Sequence, residues 1–177
     1  MGSFTEKLSP YDFINNLFPG VLVLAFMAWS LNLSFTADGV ISIVVYFCIV
    51  YFVGIIMSRL GSLVLEPIFR KTRIAKWHKN YYVGERNDPK IPILLRDLNM
   101  YRSLAVSSLF CCLISPVAVF ITKTISCCMC LEAMLVLFIV AVIFTCSYGK
   151  QSRLIYRRVD EITKYSKGGQ NEENGSI

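Results

Sequence analysis

Residues 51–69 read YFVGIIMSRLGSLVLEPIF. The run is apolar enough for lipid, yet it carries Arg59 and Glu66, seven positions apart. Seven positions are nearly two helical turns, so both charges project from almost the same face. Gly54, Ser58 and Ser62 make a second stripe, of small residues at four-residue spacing. Such a stripe fits close helix packing in a membrane, within one subunit or between two.

The rest of the chain decides whether this run belongs in a bilayer. No Asp, Glu, Lys, Arg or His occurs in Phe13–Ala37, Gly39–Ser58, Ser103–Thr122 or Ala133–Gly149, windows of 25, 20, 20 and 17 residues. A hydrocarbon core of ~30 Å takes ~20 mainly apolar residues as a helix. Three windows suffice alone, and the fourth does so with Leu131 and Glu132 near its outer end. The chain is 55% hydrophobic and 17% charged, against about 25% charged in a typical soluble domain. A soluble helical bundle would need polar helix faces, which these windows lack. The fold class is therefore an all-α membrane protein of four transmembrane helices with cytoplasmic helical extensions, working as an oligomer. The first window follows a polar-mixed arm and contains Asn32 rather than a small-residue cleavage site, so it reads as a retained helix and not a signal peptide.

Lys and Arg set the orientation. The N-terminal arm has Lys7 alone, Arg59 to Arg102 holds ten, the 123–132 connection has Lys123, and the tail after Gly149 has six. Positive charge stays inside, so the central segment and both termini are expected in the cytoplasm. The expected organisation is a cytoplasmic arm (1–17), a first hairpin with a cytoplasmic helix extension (18–69), a basic cytoplasmic segment (70–102), a second hairpin (103–149), an amphipathic helix (150–166) and a disordered tail (167–177). Phe18-Pro19-Gly20 is expected to bend the arm into the first span.

Counting from Val40 at ~1.5 Å per residue puts Arg59 at the inner interface and Glu66 one to two turns beyond it. An apolar helix that leaves the membrane must bury its surface, against residues 91–102 or against the same helix of another subunit. Pro67 removes a backbone donor, so a kink or an end is expected near Glu66. Asp88-Pro89 is a helix start that runs through IPILLRDLNMYRS into the third span, and Pro116 is placed to kink that span. Leu154, Ile155, Val159 and Ile162 form an apolar face after the fourth span, with Arg153, Arg157 and Arg158 elsewhere.

Residues 70–86, RKTRIAKWHKNYYVGER, interleave Arg70, Lys71, Arg73, Lys76 and Lys79 with Trp77, Tyr81 and Tyr82. One reading is a positive-inside belt on anionic lipid. The other is a ligand site in which cations hold phosphates and rings stack on bases. The cysteines are odd in number, and CCMC at 127–130 lacks the spaced N/S pairs of a zinc site. If that stretch faces outward, a disulfide within or between subunits is the more natural state. There is no HExxH, GxSxG or phosphate-binding glycine loop, so the reading is a non-enzyme without cofactor. The classes that remain are an oligomeric channel, a holin-like permeabiliser, or a scaffold recruiting a soluble partner. Polar positions available to a path or gate are Arg59, Glu66, Asp97 and Asn99, with Asn32, Ser42 and Ser58.

The stretches YDFINNLFPG and GIIMSRLGSLVLEPIFRK, with NMYRS and YRRV, resemble small bacterial membrane effectors of anti-phage defence, nearest the Hailong-type channel effector. The resemblance covers most of residues 10–160. It implies a homo-oligomer, a tetramer by preference, in the bacterial inner membrane. It further implies a channel held shut by a nucleotide or single-stranded DNA oligomer that a partner nucleotidyltransferase makes. The ligand would sit on Arg70, Lys71, Arg73, Lys76, Trp77, Lys79, Tyr81 and Tyr82, with Glu66 and Asp97 on the conduction path.

Overall fold

A transmembrane segment with no water around it must pair its backbone N–H and C=O groups internally, and an α-helix does this within one segment. The described residues of the charge-free windows adopt that solution, apart from Gly39. The computed structural model describes residues 10–31, 39–72, 74–76, 81–122 and 127–173. Its elements are α1 (Pro10–Leu31), α2 (Val40–Leu60), a π-helical turn (Gly61–Leu65), α3 (Glu66–Lys71), α4 (Tyr81–Asn87), α5 (Lys90–Thr122) and α6 (Cys127–Glu173). Four stretches are long and apolar enough to cross a membrane: Phe13–Leu31, Val40–Lys71, Lys90–Phe120 and Met129–Lys164. The second joins α2, the π-turn and α3 into one rod.

Helix α5 is the centre of the bundle. It packs most extensively on α6, then on α1, and it also meets α2, the π-turn and α4. Half of its apolar window is buried, against 11% for the windows of α2–α3 and α6. The outer faces of those two helices, with Ile41, Phe52 and Leu63 on one and Leu135, Phe138 and Ile143 on the other, are exposed. The buried core runs from Val23 and Met57 through Ala105 to Tyr148, then down to Ile91, Ile155 and Val159.

The small-residue stripe has a specific use. A Cβ on Gly54 would overlap the backbone carbonyl of Asn16, and one on Gly20 would overlap that of Val50. Helices α1 and α2 therefore cross with backbones in contact, inside one subunit. Phe13 stacks on Tyr51 at 5.0 Å between ring centroids beside this crossing. The chain does not break at Phe18-Pro19-Gly20. α1 continues as one helix through Pro19, and both Pro19 and Gly20 are buried. Next to the proline, the bare Gly20 admits the Val50 carbonyl of α2.

Nor does the second helix end at Pro67. The Glu66 N–H reaches back five residues to the Gly61 carbonyl, and α3 then carries the rod to Lys71. A proline ring clashes with the carbonyl four residues earlier in a regular helix. Widening the preceding turn to i→i+5 relieves that crowding without stopping the helix.

Below the spans, Asp88 caps α5 by accepting from the Lys90 N–H at 2.9 Å. Its other oxygen pairs with Arg158 at 3.3 Å. Gly84 lets α4 lie on α6, where a Cβ would come within 2.8 Å of Val159 Cγ2. Ile155 and Val159 are buried as expected, but Leu154 is exposed. The segment from 167 onward, expected to lack structure, is helical as far as Glu173. Extending a helix that is already nucleated is cheap even through polar residues.

Candidate functional site

The charges of the opening stretch diverge. Glu66 does not pair with Arg59. One carboxylate oxygen takes Arg70 of its own helix at 2.6 Å, and the other takes Arg102 of α5 at 2.7 Å. The Arg70 side chain is exposed, whereas those of Glu66 and Arg102 are largely buried. Gly61 makes the second pairing possible, because a Cβ there would sit 3.3 Å from Arg102 Cγ and 3.5 Å from its Nε. The expectation that residues 91–102 would cover the helix extension is met at this point by Arg102.

Arg59 points to the other side of Arg102. A cavity of about 320 Å³ is lined by Asn16, Ile55, Ser58, Arg59, Ser62 and Arg102. Ser62 Oγ donates to the Ser58 carbonyl at 3.4 Å. The cavity and the Glu66 pair thus share Arg102, and together they join α1, α2, the π-turn, α3 and α5. Nearby, Tyr148 of α6 is fully buried, with its ring 5.0 Å from that of Phe69. Arg102 Nε, Ser107 Oγ and Tyr148 Oη make no hydrogen bond among the described residues. Buried polar atoms with unused capacity are uncommon in native folds and collect at sites with a role.

Asp97 and Asn99 do not join this cavity. Both are half-buried on α5, where the Asn99 carbonyl accepts from Ser103 Oγ at 2.9 Å. Asn15 Nδ2 donates to the neighbouring Arg96 carbonyl at 3.3 Å and ties α1 to α5. Ser42 is half-buried near the start of α2, and Asn32 lies outside the described residues.

The basic-aromatic segment is spread over several surroundings. Arg70 is engaged by Glu66. Lys71, Lys76 and Tyr82 are exposed, and Tyr81 is half-buried with its ring edge-on to Tyr82 at 6.0 Å. Lys76 is pinned by its backbone. Its N–H donates to Ser152 Oγ at 2.9 Å, and that hydroxyl donates back to the Lys76 carbonyl at 3.0 Å. Its ammonium stands 6.0 Å over the Tyr156 ring. Arg73, Trp77, His78 and Lys79 lie outside the described residues.

The sequence reading missed two features. Arg102 and Asn16 belong to the inner cluster, and nothing at Glu66 signals a partner 36 positions away. The other is a groove of about 550 Å³ along α6, lined by Ile74, Thr145, Cys146, Gly149, Lys150, Arg153, Leu154 and Arg157. Its cations recur at spacings of three and four, a signal present in the sequence. Among the described residues no three His, Cys, Asp or Glu side chains converge as metal ligands. Cys130 is buried against Ser115 Oγ at 3.0 Å, and the side chains of Cys127 and Cys128 lie outside the described residues. Compared with known proteins, the chain matches no protein-family model, no curated protein and no solved structure.

Proposed function

We propose that this chain is a membrane effector of bacterial anti-phage defence. Its copies assemble in the inner membrane, termini inward, into an ion channel gated at the cytoplasmic side by a nucleotide or single-stranded DNA oligomer. The observation that carries the reading is the polar opening at one end of otherwise uncharged spans, lined by Asn16, Ser58, Arg59, Ser62 and Arg102 with Glu66 behind it. Ionisable groups that face a bundle interior or a water-filled cavity mark the paths of ions and ligands. The wide exposed apolar faces of α2 and α6 leave room for further copies as well as lipid. One four-helix subunit is too small to enclose a wide aqueous path, so conduction calls for several copies. Exposed Lys71, Lys76 and Tyr82 offer cations and a ring to a phosphate-bearing ligand at the same end.

The test is recording from the purified chain in a planar bilayer, with and without a short single-stranded DNA oligomer. Discrete ion-selective currents that the oligomer closes are expected. Arg59→Gln should change the unit conductance, and Lys71→Gln with Lys76→Gln should weaken closure. Absence of current in both conditions would sink the channel reading. Large non-selective currents indifferent to the oligomer would replace it with the holin-like one.

A further inference from the structure

The groove along α6 changes character along its length. At the membrane end its walls are Thr145, Cys146 and Ile74, and Leu154 lines it further along. Past Gly149, where the charge-free window closes, it presents Lys150, Arg153 and Arg157. Those three fall at i, i+3 and i+7, which sets them on one face of a helix. All three are exposed, and among the described residues no acidic side chain lines the groove. The ion pairs among the described residues engage Arg70, Arg102, Arg158 and Lys164 instead.

The far wall is built rather than incidental. Ile74 belongs to the segment that Ser152 fastens through both backbone groups of Lys76. Gly149 admits it, since a Cβ there would lie 3.1 Å from Ile74 Cγ2. The result is an apolar slot opening onto three exposed cations that no ion pair among the described residues engages, at the point where the charge-free window ends. An amphiphile with an anionic head has this profile. Its phosphate meets Lys150, Arg153 and Arg157, while its glycerol and first methylenes lie against Ile74, Thr145 and Cys146.

We propose that this groove is a binding site for one anionic phospholipid. The inference rests on the membrane reading of the spans and not on conduction. A chain that did not partition to membranes at all would reveal the failure of that reading separately, during purification.

The full chain, extracted in uncharged detergent, is examined by native mass spectrometry. It is titrated with dioleoyl phosphatidylglycerol, with phosphatidylcholine of the same chains, and with inorganic phosphate. Phosphatidylglycerol is expected to be retained in preference to phosphatidylcholine, and millimolar phosphate should not displace it. Cations near an anionic headgroup contribute enough that Lys150→Gln, Arg153→Gln and Arg157→Gln together should weaken retention about a hundredfold. Lys150→Arg with Arg153→Lys and Arg157→Lys should keep it. Lys71→Gln with Lys76→Gln, outside the groove, should also keep it. If the triple neutral variant does not fold, Arg153→Gln and Arg157→Gln singly should each cost about fivefold. Equal retention of both lipids, unchanged retention in the neutral variants, or displacement by phosphate would each overturn the site. So would loss of binding accompanied by a changed oligomeric state, which would assign the groove to a contact between copies.

Discussion

Glu66 and Arg102 show what one carboxylate can commit at the end of an apolar run. Both side chains are largely withdrawn from solvent and meet at 2.7 Å. Removing one partner of such a pair leaves the other charge without compensation, which is costlier than never burying the pair. Glu66→Gln should therefore destabilise the fold by about 3 kcal/mol, read as a lower unfolding temperature in detergent. Glu66→Gln combined with Arg102→Met should recover part of that loss. If the double variant is no better than the single, the pair is not what holds these residues. The sequence made Glu66 conspicuous, because a charge in an apolar run stands out in any reading. It did not identify Arg102, whose partner depends on how α3 lies against α5, and seven-residue spacing drew attention to Arg59 instead. Gly54 was legible as a close-packing position, and only the Asn16 carbonyl decided that the contact is within one subunit.

At the scale of elements, proline and glycine had opposite legibility. Asp88 was readable as a helix cap because the cap is local, and the Lys90 N–H does find it. By the same local logic Pro19 predicts a bend and Pro67 a kink or an end, yet both helices continue through them, the second by way of a π-turn. In one case α2 presses against the site, and in the other a π-turn takes up the crowding. Tertiary packing overrides a local preference when it supplies the missing constraint. Gly54→Val should accordingly force α1 and α2 apart, at a cost of about 1–3 kcal/mol seen as reduced thermal stability. The same change at Gly39, where a Cβ meets nothing within 4 Å, should be nearly silent on packing grounds. Ser152 fastens the 74–76 segment to α6, beside the Ala75 N–H that donates to the Phe69 carbonyl at 3.1 Å. Ser152→Ala removes two hydrogen bonds, each worth about 1 kcal/mol, and amide exchange at Lys76 should accelerate. Unchanged exchange there would mean that the Ala75–Phe69 hydrogen bond and packing hold the segment without Ser152.

For the whole molecule, the four spans were legible from charge-free windows alone, since each window length can be set against the thickness of a bilayer. Their arrangement was not. That α5 is the central helix follows from which faces fit together, and apolar helices of similar composition do not announce their neighbours. Orientation is a prediction of the charge count. A fluorescent protein fused to either terminus should fold and fluoresce, and a periplasm-dependent phosphatase at either terminus should stay inactive. An active phosphatase at the C-terminus would reverse the assignment.

Helix α6 is one rod of 47 residues, and that has a mechanical meaning. Beyond Gly149 it extends about 36 Å at 1.5 Å per residue. A tilt of about 10° at the membrane then sweeps its far end through ~6 Å on that length. Part of this arm is clasped by α4 at Val159 and by the fastened segment at Ser152. Those contacts hold the near part of the arm to the bundle, so any displacement of its far end is carried along one continuous rod to the apolar half. A small angular change in the apolar half and a large displacement of the far end are two readings of the same movement.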